Sequence, residues 1–318
     1  MVLQYKGGAA PPGTIGGLTR WTPLQAVPGP LGFKSVEDKG APTRSPRVLP
    51  LPLPWHSSTI IRVAVVDWKL GDGLPVTKQV RQGHLPNCRI AAILSALGNT
   101  KEGSKYLDGL IIEFTGTTVR TSLPGELVTK LWHSDEDKDD KPQVPVLESK
   151  RYFTVSLKKF GKPIEVHNTF YVGYTDGTNY DLVFMNSPND VLWPAVIEKA
   201  CAIYYGNSYP AMSDYKKHTA NEFYELIVGV TVDALKIEDT TDIEKIRDVA
   251  REAPRAATIA ASREKLPAAA PVTPWHAHAV LGMTGKNIDL YDPMAAKVKS
   301  LSFDDFRANF QMMLFPKR

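Results

Sequence analysis

Residues 87–98 read Asn-Cys-Arg-Ile-Ala-Ala-Ile-Leu-Ser-Ala-Leu-Gly, and no other run constrains the chain as strongly. Ile90, Ile93, Leu94 and Leu97 recur at spacings of three and four, which places them on one helical face. Asn87 is a favoured N-cap and Gly98 a favoured C-terminal stop. The pattern predicts a buried helix that opens at Cys88. The start of a helix carries unpaired amides and a partial positive charge, and both favour a thiolate over a thiol. Cys88 is therefore placed as a reactive thiol would be. A small structural residue at a helix start fits the same run, so this stretch alone leaves both readings open.

A nucleophilic thiol needs a base from elsewhere in the chain. Among seven histidines, His276 and His278 stand two apart in an alternating stretch that reads as a strand, so both face one side. Thr284-Gly285-Lys286-Asn287 reads as a turn, and Ile288-Asp289-Leu290-Tyr291 as the returning strand. That hairpin brings Asp292 level with residue 278 or 276, where a carboxylate can orient an imidazole. His276 and His278 also form a His-x-His pair suited to a metal, but no third or fourth ligand is evident in the sequence, so no metal is expected there. Gln82 offers a side-chain amide six residues before Cys88, which with the Cys88 backbone amide would make an oxyanion hole.

Residues 1–55 differ in composition from the rest, with ten prolines and eight glycines. Proline fixes φ and removes amide donors, so this leader reads as extended, excluded from helix and central strand. It is a tail, or an arm that docks on the body or on a partner. Strands are expected at 60–66, 152–157, 164–166 and 169–172. Further helices are expected at about 191–205, capped by Asp190 and ended by Gly206, and at 242–252; Ser302 would cap a short third one. Net charge is only +4 on 38 basic and 34 acidic residues, a mixed surface that argues against nucleic-acid binding. No apolar run is long enough to span a membrane, and the start of the chain lacks a secretory signal pattern. With two cysteines, Cys88 and Cys201, a disulfide framework is not expected; Cys201 reads as a core residue of the 191–205 helix.

Taken together these segments resemble the calpain family of cysteine peptidases. That family carries its oxyanion glutamine and nucleophile in Gln-Gly-x-Leu-x-Asn/Asp-Cys-Trp, and this chain reads Gln82-Gly83-His84-Leu85-Pro86-Asn87-Cys88-Arg89. A second signature, Leu-Trp followed by Glu-Lys-Ala-x-Ala, is matched by Leu192-Trp193 and Glu198-Lys199-Ala200-Cys201-Ala202. His276-Ala277-His278-Ala279-Val280 is similar to the segment of the family base, Asp292-Pro293 stands where the family has asparagine and proline, and Ser302-Phe303-Asp304-Asp305-Phe306 is similar to its closing motif. Arg89 replaces a tryptophan, Met294 stands where a tryptophan shields the base, and Trp275 precedes His276 in place of a small residue; Trp275 would shield the pair or narrow the cleft.

The resemblance covers about residues 60–318. It implies an α+β, two-lobed papain-like fold: a helical first lobe, 56–229, with Cys88, and a β-rich second lobe, 230–318, with His276 and Asp292. It implies an endopeptidase in which Cys88 attacks a peptide carbonyl, His276 is base and acid, Asp292 orients it and Gln82 stabilises the oxyanion. The substrate would be a protein or peptide, with the leader free to occupy the cleft or bind a partner. Calcium would enter as a cofactor by resemblance only; the acidic run 135–140 lacks the spacing of an EF-hand loop and reads as a solvated charge run. Two alternatives remain: an acyl transferase or deamidase using the same three residues, and a catalytically weak pseudo-protease acting as a binding or structural module. Such a core would be cytoplasmic, or exported without a Sec-type signal as an effector or toxin.

Overall fold

The β-branched run at residues 60–66 forms a strand, as its composition dictates. It belongs to a computed structural model that describes residues 33–35, 60–121, 147–174, 180–214, 217–267 and 269–317. The leader, apart from 33–35, and the acidic run 135–140 lie outside the described residues. The architecture is mixed α and β, with three sheets in which every strand pairing is antiparallel.

The first sheet has four strands, β1 (Phe33–Ser35), β2 (Ile60–Val66), β6 (Thr169–Tyr174) and β7 (Tyr180–Leu182), in the order β1-β2-β6-β7. The leader thus contributes one short edge strand, the position its prolines on either side permit. The second sheet contains β3 (Ile111–Thr121), β4 (Leu147–Val155) and β5 (Ile164–His167). The third has six strands: β8 (Val232–Lys236), β9 (Ile259–Ser262), β10 (Ala277–Thr284), β11 (Asn287–Asp292), β12 (Lys297–Ser302) and β13 (Phe310–Pro316). Their order is β12-β11-β10-β9-β13-β8.

Seven helices accompany the sheets among the described residues: α1 (Cys88–Gly98), α2 (Lys101–Leu110), α3 (Trp193–Tyr204), α4 (Tyr209–Ser213), α5 (Ala220–Ile227), α6 (Ile243–Glu252) and α7 (Phe303–Asn309). In α1 every residue from Ile90 to Leu97 is buried, and in α3 every residue from Trp193 to Ala202. Helices buried on all sides belong inside a core, and the two charged residues of α3, Glu198 and Lys199, are buried with the rest. Each large side chain buried on α1 contributes about 1.5–3 kcal/mol relative to exposure.

The six-stranded sheet separates two apolar clusters. Ala277, Ala279 and Tyr291 join the larger one, which contains α1 and α3. Val280, Ile288 and Leu290 face the other way, against Ile246 and Ala250 of α6 and Phe303 and Phe306 of α7. This is the period-two alternation of a strand covered on both faces. Since α1 packs across β10 and β9, the start of α1 comes to the start of β10, so Cys88 meets His276.

Two expected helix ends are corrected, and a third holds without its capping bond. Asn87 occupies the cap position of α1 but makes no side-chain capping bond, because its amide is drawn to Glu198. Gly98 lies within α1, whose C-cap is Asn99. A Cβ at Gly98 would sit 2.8 Å from the Thr77 nitrogen and the Val76 carbonyl carbon, so glycine is there for close approach. Helix α3 begins at Trp193 with Leu192 as its N-cap; Asp190 has φ 59° and turns the chain before it.

Candidate active site

The site forms where the N-terminus of α1 meets the start of β10 and the end of β11. Thr284 and Asn287 close the β10–β11 hairpin, and Ala279 pairs with Tyr291. That register sets Asp292 opposite His278 and within reach of His276. His276 Nε2 lies 3.0 Å from Asp292 Oδ1, and both side chains are buried. With Nε2 committed to the carboxylate, Nδ1 is the ring nitrogen left for Cys88, and the thiol and the imidazole each favour the other's charged form. Cys88 remains partly exposed, as a group that must meet a substrate has to be.

The electrostatics favour an ion pair. Burial alone pushes the Cys88 thiol up. The hydrogen bond and charge of His276, a backbone hydrogen bond from Ala277 and the Arg89 guanidinium outweigh burial and bring it below the ordinary thiol value. Burial pushes His276 down, but its hydrogen bonds and charge interactions with Asp292 and Cys88 raise it to about 9. Burial pushes Asp292 up, yet His276, His278 and Lys299 hold it far below the carboxylate range. Together these directions favour a thiolate, an imidazolium and a carboxylate in a row. Cys201 is the contrast: fully buried on α3, its thiol is pushed well up by burial and by the Glu198 charge. Both cysteines are free.

Asp292 is held firmly. Its Oδ1 accepts from the backbone amides of Met294 (3.0 Å) and Ala295 (3.2 Å), and its Oδ2 from Lys299 Nζ (2.9 Å). Lys299 stands on β12, where the register pairs Leu290 with it. His276 is fixed through its backbone, which donates to Ser262 Oγ at 2.9 Å. Trp275 is 61% exposed and stands at φ 53°.

Gln82 is buried, and its Nε2 donates to the Leu85 carbonyl at 2.6 Å. One of the two hydrogens of this side-chain amide is thus engaged. The segment carrying Gln82 is tied to that of Asp292: Gln82 N donates to the Pro293 carbonyl (2.8 Å), and Tyr291 Oη to the Val80 carbonyl (2.7 Å). On its other side the segment runs close beside Phe184, where glycine is needed, since a Cβ at Gly83 would lie 2.1 Å from the Phe184 carbonyl oxygen.

Residues to which the sequence assigned no role also support the site. Glu198 of α3 accepts from the Asn87 side-chain amide and, at 2.9 Å, from the Met185 amide. It clamps the residue just before Cys88, and burial pushes it up to about 8 against those two bonds. Lys199 Nζ, lowered by burial to about 7, donates to the carbonyls of His167 and Thr169. Arg89 sits 5.7 Å over the Phe223 ring and donates to the His218 carbonyl, which ties the start of α1 to α5.

The sequence offered His276 and His278 without a third ligand; the fold supplies Asp292. Among the described residues these three are the convergent group of His, Cys, Asp or Glu side chains, with ligand atoms all within 4.8 Å of one another. Two of the three donors are imidazoles. Calcium takes six to eight oxygens and does not fit this group; the acidic run 135–140, read as a solvated charge run, lies outside the described residues.

Compared with models of known protein families and with curated protein sequences, the chain matches none. No helix among the described residues is long and apolar enough to cross a membrane.

Proposed function

We propose that the chain is a cysteine endopeptidase of the calpain type, with two papain-like lobes, 56–229 and 230–318, that meet at the site. The observation that carries this reading is the convergence of Cys88, His276 and Asp292 from segments nearly two hundred residues apart, with the thiol lowered and the imidazole raised. A structural cysteine at a helix start needs neither a buried histidine nor a carboxylate behind it.

In this reading the Cys88 thiolate attacks a peptide carbonyl. Negative charge develops on the oxygen, where the Cys88 backbone amide and the free Gln82 hydrogen would receive it. His276 gives its Nδ1 proton to the departing amine, leaving a thioester on Cys88. Water then adds, His276 takes its proton, and the acid is released. Asp292 holds the imidazole in place and supports its positive charge throughout. Aspartate serves here at least as well as asparagine, because a carboxylate also stabilises the imidazolium.

The test is incubation of the purified chain with an unfolded protein and with a peptide library, with and without an epoxide thiol inactivator. We expect peptide fragments, and their loss in step with modification of Cys88. Cross-linked or deamidated products without fragments would replace this reading by acyl transfer. Neither products nor epoxide modification would leave a binding module.

A further inference from the structure

We propose that His276, His278 and Asp292 form an inhibitory site for a divalent cation of the zinc class. His276 Nε2 and Asp292 Oδ1 are 3.0 Å apart, and His278 Nε2 and Asp292 Oδ2 are 3.8 Å apart. Zinc bonds of about 2.0–2.2 Å in a tetrahedron set ligands roughly 3.3 Å apart; the three ligand atoms here lie within 4.8 Å of one another, so a modest side-chain shift would bring them onto one ion. Two imidazoles and a carboxylate are a common zinc donor set that leaves a fourth position for water.

The independent observation is His278 itself. It is fully buried, and neither ring nitrogen has a hydrogen-bond partner among the described residues. Buried polar side chains are rarely left so. The peptidase chemistry gives His278 no task. Its ring is nonetheless fixed edge-on between His276 (4.7 Å) and Phe310 (5.4 Å), with Nε2 toward the carboxylate. A metal ion would satisfy that nitrogen.

Lys299 is the competing cation. Its ammonium lies 2.9 Å from Asp292 Oδ2, but its side chain is 29% exposed and can swing into solvent. A cation on His276 Nε2 would displace the hydrogen bond to Asp292 and leave the imidazole proton on Nδ1. That nitrogen would still face the sulfur but could no longer pass a proton back and forth, so turnover would stop. Cys88 is not a ligand. The inhibitory effect rests on the peptidase reading; the binding site does not.

The test uses the full chain carrying Cys88→Ala, with zinc binding followed by calorimetry and cobalt(II) by its visible absorption. One ion per chain is expected, with the strong absorption of four-coordinate cobalt. Adding His278→Gln should weaken binding by about tenfold or more, since even outer partners of a metal site act on that scale. Adding Lys299→Met should tighten it, and this surface change decides the matter if His278→Gln does not fold. In the chain with Cys88 intact, zinc should slow hydrolysis over the concentrations at which it binds. Loss of binding in Cys88→Ala would make the thiol the ligand and overturn the site, as would an affinity indifferent to both other changes. Binding without inhibition of an active chain would overturn the inhibitory role alone.

Discussion

Cys88→Ala is expected to reduce peptide hydrolysis to background, a loss of at least about 10⁴-fold in kcat, while the chain stays folded. In the peptidase reading Cys88 has no substitute as nucleophile: Cys201 is buried in α3 and its thiol is pushed well up. Stability should change little, because Cys88 is partly exposed and alanine suits a helix start. The size of the loss separates two roles. A structural cysteine would cost stability and leave turnover of the folded fraction untouched. Steady-state kinetics beside a urea unfolding curve measures both, and hydrolysis surviving in Cys88→Ala would remove the residue from the chemistry.

The largest effect on stability is expected at Glu198. Glu198→Ala leaves the Asn87 amide and the Met185 N–H without their acceptor inside a dry core. Two orphaned donors and the cavity together should cost about 2–5 kcal/mol. Asn87 immediately precedes Cys88, so the surviving folded protein should also label more slowly at that thiol. Glu198→Gln is the sharper probe. Both carboxyl oxygens accept hydrogen bonds, so the new amide must turn a donor toward a donor at one of them, and an intermediate loss is expected. The urea midpoint should fall in the order wild type, Gln, Ala. A Glu198→Ala chain as stable as wild type would show that this clamp carries no load.

Much of this site is legible from residue order alone. The apolar spacing after Cys88 sets the helix, and the turn at Thr284–Asn287 sets the register that brings Asp292 back to the histidines. Both are local patterns whose consequences local geometry determines. What remained hidden depends on contacts across the chain. Asn87 has the residue type of a cap, yet its amide serves Glu198, 111 positions away. Gly98 has the type of a helix stop, yet glycine is needed there because the Val76–Thr77 backbone passes beside it. Lys299 gives no signal of its own until β12 pairs with β11 and points it at Asp292. Helix α2 escapes the periodicity reading because Glu102, Lys105 and Asp108 crowd a helix with only a few apolar residues and two glycines.

The thiolate–imidazolium pair is tested most directly by the rate at which iodoacetamide alkylates Cys88, followed by mass spectrometry from about pH 5 to pH 9. In the wild-type chain Cys88 should react far faster than Cys201, at a rate that hardly changes through neutral pH because the thiolate is already formed. In His276→Ala, burial is left largely unopposed, so the rate at neutral pH should fall by about tenfold or more and climb steeply as the pH rises. A Cys88 that reacts as an ordinary thiol, with the same pH profile in the presence and absence of His276, would contradict the pair.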